Sequence, residues 1–197
     1  MITLVIQAGG ASSRMGQDKA LMPFLGRPLI ARVVERLAGL GDEVLVTTNR
    51  PEDYAFLNLP LIPDLLPGTG ALGGLYTALY AANNPFVAVV ACDMPFIDPR
   101  LLRAQIDLLE QEGVDAVIPR SLEGLEPLHG VYRRDTCLPA VKAALDRDAR
   151  RMISWFDAAK VRVMAQEEVV VIDPQFRSFI NVNSPEEFRK AEEEASL

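Results

Sequence analysis

The sequence predicts an α/β fold: a single-domain, Rossmann-like open sheet, mostly parallel, with helices on both faces. Three observations carry this. Residues 2–6, ITLVI, and Phe86–Ala91, FVAVVA, are unbroken apolar runs of the kind that fill strands buried on both sides of a parallel sheet. Through residue 120, strand-like and helix-like stretches alternate, the pattern of βαβ units. At 197 residues the chain is long enough for one substantial domain, burying roughly 70% of its unfolded surface.

The elements follow in order. After the strand at residues 2–6 comes a glycine-rich turn, then a stretch at 21–25 that reads as extended around Pro23. Gly26-Arg27-Pro28 opens a helix over residues 29–40, with Leu29, Val33, Arg36, Leu37 and Leu40 near helical spacing and Gly39 and Gly41 ending it. Residues 43–48 read as a second strand and 59–62 as a third, running into Pro63-Asp64. A second glycine-rich connection, LPGTGALGG at 66–74, precedes a helical pattern to Ala82. Phe86–Ala91 is the most evenly hydrophobic strand and is expected at the sheet centre. Asp98 caps the next helix, with Pro99 at its first position, where the missing N–H costs least. That helix ends near Glu112, and a strand follows at 115–119. The remainder reads as a strand at 128–133, helices at 136–145 and 149–156, strands at 160–165 and 169–172, and a terminal helix at 184–194. Residues 1–120 and 120–197 are expected as the two halves of this single domain.

Composition narrows the function. The chain is 49% hydrophobic and 24% charged, ordinary for a globular enzyme. A net charge of −7 without a basic block argues against nucleic acid as a partner, which would need a cationic stripe. Cys92 and Cys137 lie far apart, outside any Cys-x-x-Cys spacing, which points to a reducing, cytoplasmic setting. A core strand at the start leaves no room for a signal sequence, and no run reaches the ~18 apolar residues of a membrane span.

The chemistry concentrates in QAGGASSRMGQDKAL, residues 7–21. Gly9 and Gly10 allow a tight turn without Cβ atoms between main chain and ligand, so that amides can converge on phosphate oxygens. Arg14 and Lys19 supply two cations, with Ser12 and Ser13 near them. Five residues separate Gly10 from Gly16 and Gln17 follows, so this is neither a Walker A loop nor the dinucleotide fingerprint. Asp93, just past the strand Phe86–Ala91, stands where open α/β sheets place ligands, and a carboxylate there suits Mg²⁺. An N-cap or turn role is the alternative. Asp64 follows the third strand, while Thr47 and Asn49 end the second, within reach of a base or ribose. His129 is the chain's one histidine.

The loop at 7–21 resembles the signature L-A-G-G-x-S-x-R-M-G-x-D-K of nucleotidyltransferases, and among them the molybdenum cofactor guanylyltransferases, the MobA-like proteins. CDMP at 92–95 resembles their D-x-P motif, and the segment from Asp64 to Gly74 their I-x-D…G-P-L-x-G run. Pro127-Leu128-His129 resembles their P-L-H run, Arg150-Arg151-Met152 their R-R-x-M run, and residues 179–187 the close F-x-N-V-N-T-P-E-E. The resemblance implies a nucleotidyltransferase (glycosyltransferase-A-like) fold, with 1–120 the nucleotide-binding half and 120–197 the acceptor-binding half, and transfer of GMP from GTP to the phosphate of a molybdopterin-type cofactor. Gln7, Ala8, Gly9, Gly10, Lys19, Asp64 and Asp93 would then bind GTP. Arg14, Lys19 and Asp93 would be catalytic, Asp93 holding Mg²⁺. His129, Asn181 and Asn183 would face the acceptor, as would Arg150 unless it lies on a solvated helix face. Ala8-Gly9-Gly10 favours guanine, since the related cytidylyltransferases show L-A-A-G. Molybdoenzymes or other cofactor-biosynthesis proteins are the expected partners. A molybdenum cofactor cytidylyltransferase or a sugar-phosphate nucleotidyltransferase on the same fold is the alternative among enzymes, and a non-catalytic nucleotide-binding adaptor for molybdoenzyme maturation is the alternative from another class.

Overall fold

The computed structural model describes residues 1–8 and 18–196. Seven strands form one sheet. In chain order, they are β1 (Ile2–Gln7), β4 (Glu43–Thr47), β5 (Leu61–Ile62), β6 (Phe86–Ala91), β7 (Ala116–Pro119), β8 (His129–Arg133) and β9 (Val161–Met164), in spatial order β5-β4-β1-β6-β8-β7-β9. β5, β4, β1 and β6 are parallel, and β6 is central, as its even hydrophobicity predicts. β8 is the exception: it runs antiparallel between β6 and β7, while β7 and β9 pair in parallel.

Helices cover both faces. α1 (Leu29–Arg36), α4 (Pro99–Glu112) and α6 (Gln166–Ile172) pack against Ile2, Leu4 and Ile6 of β1 and their neighbours. α3 (Gly70–Ala81) and α5 (Arg134–Asp146) pack against Val5, Val87 and Val89 on the opposite face. This alternation along β1, even-numbered residues one way and Val5 the other, is the period-two geometry of a strand. A short helix α2 (Pro51–Tyr54) follows β4, and α7 (Pro185–Ala195) closes the described chain. α7 sets Phe188 edge-on to Phe24, ring centroids 5.6 Å apart, beside the small hairpin of β2 (Pro23–Phe24) and β3 (Arg27–Pro28).

Four expectations are corrected. The run at 169–172, expected as a strand, is the end of α6. Its first turn is fixed by the Glu168 carboxylate, which accepts from the Ala165 amide at 2.7 Å and pairs with Arg162 at 2.6 Å. Only Val169 of the three valines is buried, so the apolar run reflects composition more than a two-sided core position. Residues 149–156, expected as a helix, form turns, because Asp148 adopts a left-handed φ of 60° and the chain doubles back to bury Trp155 against Tyr132 and Phe156. The helix expected over 29–40 stops at Arg36, with Gly39 at φ 79° in the turn that follows. The stretch at 21–25 is a hairpin arm rather than one extended segment, because Leu25 and Gly26 both take positive φ and reverse the chain.

Candidate active site at the sheet's switch point

The strand order reverses between β1 and β6: β4 lies to one side of β1 and β6 to the other. At such a switch point the connections leave in opposite directions and open a crevice beyond the strand ends. Residues from both strands line that edge. The Cys92 amide donates to the Gln7 carbonyl at 3.1 Å and the Ala8 amide to the Thr47 carbonyl at 2.9 Å, so the ends of β6, β1 and β4 are laced together there. Gly9, Gly10 and Arg14 lie outside the described residues.

Asp93 emerges from β6 into this edge. Its Oδ1 is buried and has no hydrogen-bond partner among the described residues. Burial pushes its carboxyl above the usual range, and the positive charge of Lys19 pulls the other way. A desolvated carboxylate oxygen without a donor is costly unless something occupies it. A carboxylate oxygen left open in this way is the kind of protein donor that suits Mg²⁺, which takes its remaining ligands from substrate phosphates and water. Among the described residues no group of three His, Cys, Asp or Glu side chains gathers to hold a metal by itself.

Lys19 opens a single 3₁₀ turn, Lys19–Leu21, and donates from Nζ to Asn183 Oδ1 at 2.7 Å. That turn is held by Asp18, which sequence reading left without a role. Asp18 Oδ1 accepts from the Ala20 amide at 3.1 Å, while Oδ2 accepts from Tyr54 Oη at 2.7 Å and from the Arg50 guanidinium. Tyr54 is fully buried, so Asp18 is anchored to a rigid wall and Lys19 is placed one residue beyond it. The sequence signal was there in the adjacent Asp-Lys pair, but its partners come from residues 50 and 54. We expect Asp18→Ala to leave a folded protein whose kcat for nucleotidyl transfer falls about 10- to 100-fold, because a mispositioned charge costs rate without removing the charge. Steady-state kinetics beside a melting curve would check this.

Asp64 is paired rather than free. Its amide donates to Asn49 Oδ1 at 3.0 Å, and Asn49 Nδ2 donates to Asp64 Oδ2 at 2.8 Å, clasping the ends of β4 and β5. The glycines at 70–74, expected in a loop, form the first turn of α3. A Cβ on Gly74 would stand 2.9 Å from Gln7 Oε1, and one on Gly73 1.7 Å from Thr69 Oγ1. The missing Cβ at Gly74 lets the start of α3 close over the Gln7 amide, and that at Gly73 leaves room for the Thr69 side chain. Gln7 Nε2 is itself buried and without a partner among the described residues.

The acceptor-side residues divide. Val182, buried, donates its amide to the Asp93 carbonyl at 3.1 Å, which brings Asn181 and Asn183 alongside Asp93. His129 starts β8 at the same edge but is wholly enclosed, its ring 5.1 Å from that of Phe179 and both ring nitrogens unpartnered among the described residues. Burial lowers its pKa to about 4. Arg150 is exposed and pairs with Asp148 at 2.5 Å in the turn segment. For His129 the folded pKa lies below the ordinary value, so its share of stability is complete above about pH 6.5 and is lost as pH falls towards 4. The pKa gap of His129 corresponds to about 3 kcal/mol. His129→Gln should flatten that part of the stability–pH curve, measured by urea unfolding between pH 7 and 4.

Comparison with known proteins places this arrangement. Residues 4–163 match the family described as the MobA-like NTP transferase domain. The chain is 36% identical to a probable molybdenum cofactor guanylyltransferase of Pelotomaculum thermopropionicum, covering 96% of this chain and 91% of that one. It is 33% identical to a molybdenum cofactor guanylyltransferase of Desulfosudis oleivorans, covering 97% and 94%. Among solved structures, the molybdopterin-guanine dinucleotide biosynthesis protein A of Archaeoglobus fulgidus superposes with a TM-score of 0.85 at 26% identity, over 98% of both chains. With the loop motif, the switch-point aspartate and a shared fold over nearly its full described length, the chain is a nucleotidyltransferase and belongs to the family of MobA-like NTP transferase domains.

Proposed function

We propose that this protein transfers GMP from GTP to the terminal phosphate of a molybdenum–molybdopterin acceptor, releasing pyrophosphate and giving the guanine dinucleotide form of the cofactor. The observation that carries the reading is the buried Asp93 Oδ1, without a hydrogen-bond partner among the described residues, beside Lys19 at the switch point. The names of the relatives supply the guanine and the acceptor.

The chemistry follows from charge. A phosphate monoester has its second pKa near ~6 and is largely ionised at neutral pH, so the acceptor needs no general base. Its oxygen forms a bond to the α-phosphorus of GTP while the bond from that phosphorus to the bridging oxygen breaks, the pair leaving with pyrophosphate. The barrier is the meeting of two anions and the charge gathering on the leaving group, so catalysis is positioning and electrostatics. Lys19 and Arg14 neutralise triphosphate charge, and Gln7 to Gly10 are the residues we assign to the base. Asp64, held by Asn49, meets the nucleotide from the β5 side. Asn181 and Asn183 orient the acceptor phosphate, and His129 lends the acceptor wall its shape through Phe179. Mg²⁺, held by Asp93 and the phosphates, would supply further charge neutralisation. Such a protein works in the cytoplasm and hands its product to molybdoenzymes or other cofactor-biosynthesis proteins. No helix among the described residues is long and apolar enough to cross a membrane.

The test is incubation with GTP or CTP, Mg²⁺ and molybdenum–molybdopterin, with the product read by mass. A GMP adduct and released pyrophosphate support the proposal. A CMP adduct makes the protein a cytidylyltransferase, and nucleotide binding without either adduct makes it an adaptor. A melting-temperature panel of GTP, CTP, ATP and UTP gives the base preference independently, since a ligand of the native state alone raises apparent stability.

A further inference from the structure

A cavity of about 530 Å³ lies on the face carried by α1 and α4, and none of its walls belongs to the site around Asp93. That volume falls in the range of small-molecule sites. Four guanidiniums line it, those of Arg32, Arg36, Arg100 and Arg177, against three carboxylates, in a chain whose net charge is −7. The carboxylates are already engaged. Asp98 caps α4 and grips Arg100 at 2.6 Å, and Glu194 lies 2.8 Å from Arg177 Nε. Asp173 is turned inward to the amides of Arg177 and Ser178, at 3.1 and 2.7 Å.

Arg32 and Arg36 remain. Arg32 donates from Nε to the Pro95 carbonyl at 3.0 Å and Arg36 to the Ile97 carbonyl at 2.7 Å. Neither meets a carboxylate in ion-pair range among the described residues. These bonds fix the two side chains; Arg32 also lies over the Phe24 ring, 5.2 Å from its centroid, and Arg36 feels the charge of Asp98, but neither has a carboxylate of its own among the described residues. Burial, followed by the like charge of Arg32, holds the Arg36 guanidinium below its ordinary pKa, so the crowding has a cost. Ser178, another lining residue, is wholly buried with its hydroxyl unpartnered among the described residues. Fixed like charges beside a buried, unused hydroxyl are what an anion site looks like before its anion arrives.

We propose that this cavity binds a diphosphate-bearing anion, held chiefly by Arg32 and Arg36. The two stand one turn apart on α1, with Cβ atoms about 5–6 Å apart, which suits one guanidinium to each phosphoryl group. Guanidinium forks match phosphate oxygens in two-point contacts. The carbonyls these arginines hold follow Asp93 by only a few residues, so an occupant bears on the segment that carries the metal-binding carboxylate. Free pyrophosphate and a nucleoside diphosphate share this chemistry.

The test is calorimetric titration of the protein with inorganic pyrophosphate and, separately, with GDP, in chelator and at low salt. Wild type, Lys19→Ala, Arg32→Gln and Arg36→Gln are compared. Glutamine keeps an N–H for the backbone carbonyl while removing the charge. Pyrophosphate affinity should survive Lys19→Ala and fall about tenfold or more in each arginine variant. GDP binding with the same arginine dependence would assign the nucleoside diphosphate. Should an arginine variant melt early, Arg100→Gln provides the check, because that guanidinium is largely exposed and a loss of only a few-fold is expected there. Absence of pyrophosphate binding in wild type, or binding lost with Lys19 and untouched by the arginines, overturns the proposal.

Discussion

Asp93→Asn should abolish nucleotidyl transfer while leaving the protein folded and, at neutral pH, more stable. The two effects share a cause. The native carboxyl is raised by burial, so the folded state prefers the protonated form more than the unfolded chain does. A raised acid penalises the native state once pH passes its ordinary unfolded value, and stability returns as pH falls. Asparagine keeps the shape and discards the charge, lifting that penalty. Transfer, which on our reading draws on the charge, should drop by about 10²–10³-fold or more. Melting curves at pH 7 and a pyrophosphate-release assay read the two halves. A variant that transfers normally sinks the role given to Asp93, and one that melts earlier sinks the account of its burial.

Lys19→Ala should be nearly as damaging to turnover, by about 10²-fold or more, for a second reason besides lost charge. Its ammonium is the link between the turn at residues 18–21 and Asn183, 164 positions away. The exposed bond itself contributes little to stability, so the melting temperature should hardly move. Asn183→Ala leaves the cation and removes the tether, together with the contact we propose to the acceptor phosphate, so KM for the acceptor is followed beside KM for GTP. If turnover depends on tethering, Asn183→Ala will share part of the loss with kcat affected more than KM for GTP. Equal activity in Asn183→Ala and wild type would leave charge alone as the explanation.

Much of the parallel half was legible because its strands are short, apolar and punctuated by glycine, proline and asparagine. Phe86–Ala91 is the clearest case, both in its bounds and in its central place. What stayed hidden depends on partners distant in the chain. Apolar run length cannot separate a buried strand from a helix with one buried face, and Val169 to Ile172 fell on the wrong side. The glycines at 73 and 74 read as loop residues because the reason for their size, the Gln7 amide and Thr69, is invisible locally. At the site, Lys19 and Asp93 could be picked from motif and position alone. Asp18, Arg50 and Tyr54 could not, since their importance lies in gripping one another.

The segment around Val182 and Asn183 is joined to both Asp93 and Lys19, and a ribosome delivers those partners in a fixed order. For most of its synthesis the growing chain holds Lys19 and Asp93 without the segment that joins them. A nascent chain short of residue 183 therefore lacks the contacts that join Asp93 and Lys19 through one segment, and this edge of the sheet is completed only when the late-emerging segment has docked.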